Sequence, residues 1–262
     1  MLRGHFNSWI ILFTFLFFTF HHSNAQKIDD LIEVSLVSEV ETIKSGDSAW
    51  LLLQIDMKPS WHAYWKTAGQ TGFPTTIDWD YPQGVELEET LFPAPILYQF
   101  QDFISYVHAD TFYLLTHLKV KPGAVFEKEI ISLTAQLSTL VCDEGNCIPF
   151  NKELIFEIPV SQETVISKVN SKKVQNALAE LPKPLPTGTK FSAVIKEESI
   201  VLSFDESSLK DFDLKGFNFF PDGDFFSHGE KQQFKKNDEG RISVQLSIDS
   251  LPEVFSSTIK GC

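Results

Sequence analysis

From Lys27 to about Pro159 the chain reads as one short strand after another, each closed by a turn signal. The segments Ile32–Val40 (IEVSLVSEV) and Ala49–Met57 (AWLLLQIDM) are separated by KSGD. Thr75–Asp80, Val85–Phe92, Thr111–Val120, Ile130–Cys142 and Glu153–Val160 follow, with PSW, YPQG, FPAP and KPG between them. Branched and aromatic residues at this spacing fit a pleated, half-buried surface, and Pro and Gly end each run. Seven or more such strands predict a β-sandwich of immunoglobulin type. Hydrophobic residues make up 43% of the 262, enough for a packed core.

The pattern changes at Ser161. Residues 161–181 are polar and alanine-bearing, with Val165, Val169, Val174, Leu178 and Leu181 at roughly helical spacing and Ser161 as the expected N-cap. PKPLPTG (Pro182–Gly188) then stops the helix as a stiff linker. Strands resume from Thr189, with a hairpin expected around Lys196–Ser199. The expected fold class is therefore all-β: an immunoglobulin-like sandwich over 27–160, a helix and Pro-rich linker over 161–188, and a smaller β domain over 189–262.

The N-terminus speaks to location. Arg3 precedes a twelve-residue apolar run, Trp9–Phe20, and small residues at Ser23 and Ala25 follow. This is the pattern of a signal peptide over 1–25 cleaved near Ala25, and the run is short for a membrane span. A periplasmic or otherwise extracytoplasmic location is expected, where disulfides persist. The net charge of −13 disfavours nucleic acid and anionic lipid as partners.

Three cysteines remain: Cys142, Cys147 and the last residue, Cys262. The odd count leaves one over, and the abrupt end reads as a piece of a longer protein. LVCDEGNCIPF (Leu140–Phe150) admits three readings. As a staple, a hairpin would set Cys142 and Cys147 across from each other within disulfide reach. Gly145 and Asn146 can take the positive φ such a turn calls for. The loop is short, and its closure contributes only about 2 kcal/mol. As a zinc site the pair lacks a His-x3-5-His partner, since His62, His108 and His117 are scattered on strand-like segments and read as edge or core histidines. As a redox pair, a short exposed disulfide is exchange-competent. Asp143 and Glu144 flank Cys142 with no cation in the loop, which disfavours the thiolate. The pair then suits a disulfide that is attacked by a partner, and its reduced thiols should alkylate slowly near neutral pH. A Cu(I)-binding role is weakened by the absence of a Met- or His-rich tract.

PSWHAYWKTAGQTGFPTTIDWDYPQGVELEETLFPAP, then Phe103-Ile-Ser-Tyr, then LVCDEGNCIPF, resembles the N-terminal periplasmic domain of DsbD-type thiol:disulfide interchange proteins, closest to the ScsB-like branch associated with copper tolerance. The resemblance covers roughly residues 30–160. It rests on W-x2-Y-W-K, G-x2-G-x-P-T, P-x-P and V-C-x4-C-I-P taken together. It implies an immunoglobulin-like domain with one redox-active pair, here Cys142 and Cys147, that relays reducing equivalents and uses no bound cofactor or metal. The implied partners are a membrane electron-transfer domain of the DsbD type, in the same or a separate chain, and periplasmic thioredoxin-like or disulfide isomerase proteins. Cytochrome c biogenesis is one setting in which such relays work. Family members shield the cysteines with an aromatic cap loop. The stretch between Pro95 and Asp110 holds Tyr98, Phe100, Phe103 and Tyr106, of which Phe100 and Phe103 are the first candidates for the cap and Tyr106 a third. Trp61 and Tyr64 are candidates to line the site, with Trp65 beside them, although core packing explains Trp61 and Trp65 equally well. Asp78 and Trp79 read as structural, and Gly69 and Gly72 as turn formers. The rival reading is a non-catalytic binding module with a structural hairpin disulfide.

Overall fold

The computed structural model describes residues 28–183, 191–196, 198–205, 218–222, 226–230, 232–238 and 241–249. The expected signal peptide, most of the Pro-rich linker and Cys262 lie outside the described residues.

Two sheets face each other across the first unit. The four-stranded sheet runs in the order β1 (Ile32–Ser38), β3 (Ser48–Met57), β9 (Thr111–Val120), β6 (Val85–Leu87). The six-stranded sheet runs β11 (Cys147–Pro159), β10 (Ile130–Cys142), β4 (His62–Gly69), β8 (Phe103–Ala109), β7 (Ile96–Phe100), with β5 (Thr76–Asp80) also paired to β10. Alternation sends every second side chain inward. Leu51, Leu53, Ile55, Leu114 and Leu118 of one sheet meet Ile131, Leu133, Leu137, Val141 and Ala63 of the other, all essentially buried. This is the immunoglobulin-like sandwich expected from the strand spacing.

Two elements depart from that expectation. The expected helix is shorter: α1 spans Lys168–Glu180 and starts after Ser167, not Ser161. Residues Val165–Ile166 form a short strand, β12, against β2 (Val40–Thr42), and the Ser161 hydroxyl donates to the Glu163 carbonyl instead of capping. Val169 is left exposed, while Val174 and Ala177 pack on Leu52 and Leu115, so the helix covers the outer face of the four-stranded sheet. The stretch between Pro95 and Asp110 is a hairpin, β7–β8, rather than a loop, turned by Gln101 and Asp102 with Gln101 at φ 53°.

A further four-stranded sheet follows, β13 (Phe191–Lys196), β14 (Ser199–Asp205), β16 (Arg241–Ser247) and β15 (Gln233–Lys236), in that order, around Ile200, Leu202, Phe226, Val244 and Leu246. The β13–β14 hairpin turns where the sequence placed it, between Lys196 and Ser199. This unit touches the first through Phe220, which packs edge-on against Trp65 and Tyr106. Asp222 pairs with Lys66 at 2.5 Å, and His228 Nδ1 lies 3.2 Å from the Tyr106 hydroxyl.

Candidate functional site

β10 and β11 form one long hairpin, in register from Ile130 opposite Pro159 to Cys142 opposite Cys147. The two cysteines are the last pair before the turn. Their Cα atoms are 4.2 Å apart and they are joined by a disulfide. Such spacing belongs to the closer of the two cross-strand pair types, in which side chains nearly touch. The turn is held by a carboxylate. Asp143 Oδ1 accepts the backbone N–H of Gly145 at 2.8 Å and of Asn146 at 2.7 Å, and the Asp143 N–H donates to the Asn146 carbonyl. Gly145 and Asn146 can take a positive φ, yet neither does, and the Asp143 side chain accepts the turn's N–H groups. Those N–H groups, Gly145's first, hold the Asp143 carboxyl below its ordinary range.

The sheet register decides what surrounds the disulfide. Val141 is opposite Ala63 and both face the sandwich core, so Cys142 and its neighbour His62 point to the far side. There a small separate cluster forms from Cys142, Leu140, Tyr64 and Val107, with Tyr98 packed against it. The Tyr64 hydroxyl is 3.8 Å from Cys142 Sγ, and since the disulfide sulfur carries no proton, the O–H is the donor. His62 packs tilted against Tyr98 with ring centres 4.4 Å apart and meets Tyr64 edge-on at 5.8 Å. Burial lowers the His62 pKa, with the Asp143 charge opposing, so the ring is held neutral. Burial also raises the Tyr98 hydroxyl, with Glu144 adding to the effect.

The two sulfurs are not equivalent. Cys142 is 1% exposed beneath these rings, whereas Cys147 is exposed on the outer strand β11. Tyr64 is fixed from behind. Its carbonyl accepts the Thr75 hydroxyl, which also bonds Thr139 on β10 at 2.7 Å. Gly72, at φ 94°, lies flat on the Tyr64 ring, where any side chain would overlap it.

Of the candidates from the sequence, Tyr64 is brought to Cys142. Phe100 and Phe103 face one another at the tip of the β7–β8 hairpin, both about half exposed, and Tyr98 of the same hairpin supplies the ring packed on the cysteine. Tyr106 stands on the opposite face of β8. It is buried against Trp65 and Phe220, with its hydroxyl pushed up to about 12 by burial. It belongs to the contact with the second unit, because strand alternation separates it from its neighbours Ser105 and Val107. Trp61 packs on the sandwich core at the same end of the sheet, and Trp65 is buried with Tyr106. Asp78 and Trp79 lie in β5, where Trp79 Nε1 donates toward Thr90 at 3.4 Å. His62 is the site residue that sequence reasoning passed over as an edge or core histidine. Only the Cys142–His62 register reveals it. Among the described residues no group of three or more His, Cys, Asp or Glu is placed to hold a metal.

The fold is similar to that of the N-terminal periplasmic domain of ScsB from Proteus mirabilis, at 15% identity and a TM-score of 0.64, over 90% of this chain and 89% of that one. The N-terminal domain of DsbD from Neisseria meningitidis, in the reduced form, aligns over 55% of this chain and 96% of its own at 12% identity, with a TM-score of 0.29, too low to compare the folds. No curated protein matches the chain. Residues 29–159, half of the chain, match the family described as thiol:disulfide interchange protein DsbD, N-terminal, and the chain belongs to that family.

Proposed function

We propose that this chain works outside the cytosol as a thiol–disulfide relay through Cys142 and Cys147. The observation that carries the reading is the asymmetry of the pair: one sulfur exposed, one covered. A partner thiolate attacks Cys147 Sγ and forms a mixed disulfide, and the Cys142–Cys147 bond breaks. Cys142 leaves as a thiolate in an almost dry setting, where the Tyr64 O–H is placed to donate to it. A second partner thiolate then resolves the mixed disulfide, leaving the partner oxidised and this pair reduced by two electrons. The reverse sequence passes those electrons on.

In this reading the reductant is a membrane electron-transfer domain of the DsbD type, in the same or a separate chain. The acceptors are oxidised thioredoxin-like or isomerase proteins of the periplasm. The disulfide itself is the redox group, with no resident cofactor. Export through a signal peptide over residues 1–25 places the chain in that compartment, and no helix among the described residues is long and apolar enough to cross a membrane.

The test is the reduction potential of the pair, measured by equilibration against thiol buffers. A relay sits well above about −300 mV; a value below that would make the bond a structural staple in a non-catalytic binding module. Single-cysteine variants add the direction of attack. Cys142→Ser keeps the exposed thiol and should form mixed disulfides readily. Cys147→Ser should do so roughly tenfold or more slowly, because its remaining thiol is covered.

A further inference from the structure

The turn between the cysteines presents two carboxylates and no cation. Asp143 is fixed by backbone N–H groups and held ionised, not swinging free in solvent. Glu144 is exposed beside it. Both reach the site electrostatically: each raises Tyr98, and Asp143 acts on His62. Exposed rings stand on the segments that cover Cys142. Phe73 follows the glycine that lies on the Tyr64 ring and is 69% exposed. Phe100 lies two residues along the same strand face from Tyr98, opposite Phe103. An exposed sulfur thus sits beside fixed negative charge.

We infer that Cys147 exchanges preferentially with a cationic protein partner, one carrying Lys or Arg beside its own reactive cysteine. This rests on the relay reading above. Unit charges near 4–6 Å attract in proportion to their number even when hydrated, and the attraction is screened by salt. A cation beside the partner's cysteine also makes that cysteine a thiolate, which is the species this site must be attacked by. The carboxylates of Asp143 and Glu144 cannot supply it, because they disfavour a thiolate on their own cysteines. A second copy of this chain is a poor occupant, since the same carboxylates would face each other across the contact.

Small disulfides of different charge read this directly. The reduced protein is mixed with cystamine, which is dicationic, with 3,3′-dithiodipropionate, which is dianionic, and with neutral 2-hydroxyethyl disulfide. In each reaction a Cys147 thiolate attacks the probe, one half of the probe leaves as a thiolate, and Cys142 then displaces the other half to close the protein disulfide. The quantity compared is the ratio of the cystamine rate to the dithiodipropionate rate, in the wild type and in the double variant Asp143→Asn, Glu144→Gln. Asparagine keeps an acceptor oxygen for the turn, and the probes' intrinsic reactivities cancel between the two proteins. The ratio should fall roughly tenfold in the double variant, and the wild-type ratio should fall similarly at 1 M salt. An equal ratio in both proteins, or a wild-type ratio indifferent to salt, overturns the charge preference while leaving the relay intact. Failure of the wild type to react even with the neutral probe overturns the relay reading, and this inference with it.

Discussion

Two histidines stand one register step apart, His62 on β4 and His108 on β8, and they face opposite sides of the sheet. His108 points inward, stacks on Phe112 with ring centres 4.5 Å apart, and has no hydrogen-bond partner for Nε2. Burial lowers its pKa from 6.5 to about 4. A group with a depressed folded pKa binds fewer protons in the folded state than in the unfolded one. Its contribution to stability is therefore present above pH 6.5 and lost as the pH falls toward 4, by up to about 3 kcal/mol. His108→Phe removes the titration and keeps a ring for Phe112. The variant should show a flatter dependence of the urea midpoint on pH between 6.5 and 4. An unchanged slope would place the acid sensitivity elsewhere. His62 shifts in the same direction from the other face, so acid should also loosen the rings around Cys142.

The element that holds those rings is the connection from β4 to β5, residues 70–75. Gly69 and Gly72 both take positive φ, as their turn-forming composition suggests, and the packing adds a second constraint. A Cβ on Gly69 would come within 2.8 Å of the Ile104 carbonyl, and one on Gly72 would overlap the Tyr64 ring. Gly123 offers a control, because it has φ 75° with open space around it. Gly123→Ala should cost about 1 kcal/mol from backbone strain alone, and Gly72→Ala about 1–3 kcal/mol more. Denaturant midpoints measure both. Equal costs would mean that Tyr64 yields freely and is not pinned. At this scale the sequence was readable where elements alternate. β9 and β10 run over the segments Thr111–Val120 and Ile130–Cys142 picked out from their pattern. It failed at β4, because His62, Ala63, Tyr64 and Trp65 are buried in succession and show no alternation. It failed again at β7–β8, where Gln101 and Asp102 make the turn without glycine.

At the scale of the whole molecule, the groups among the described residues that fasten the second unit include Phe220 against Trp65 and Tyr106, Asp222 on Lys66 and Thr67, and His228 near the Tyr106 hydroxyl. Truncating Phe220 to Ala should remove about 3 kcal/mol of packing, and X-ray scattering should then give a larger radius of gyration. An unchanged radius would mean that the units stay joined without that ring. The sequence by itself determined the class of fold and the two cysteines that the disulfide joins. Each of these is written locally, in side-chain alternation, in Pro and Gly, or in a motif short enough to read along the chain. Only the tertiary structure decided which rings meet which sulfur. Tyr64, Tyr98 and His62 come to Cys142, while Tyr106 turns away to hold the second unit. The reason is that strand register and the two-residue period of a strand assign each side chain to a face, and register is fixed by pairing between strands far apart in sequence.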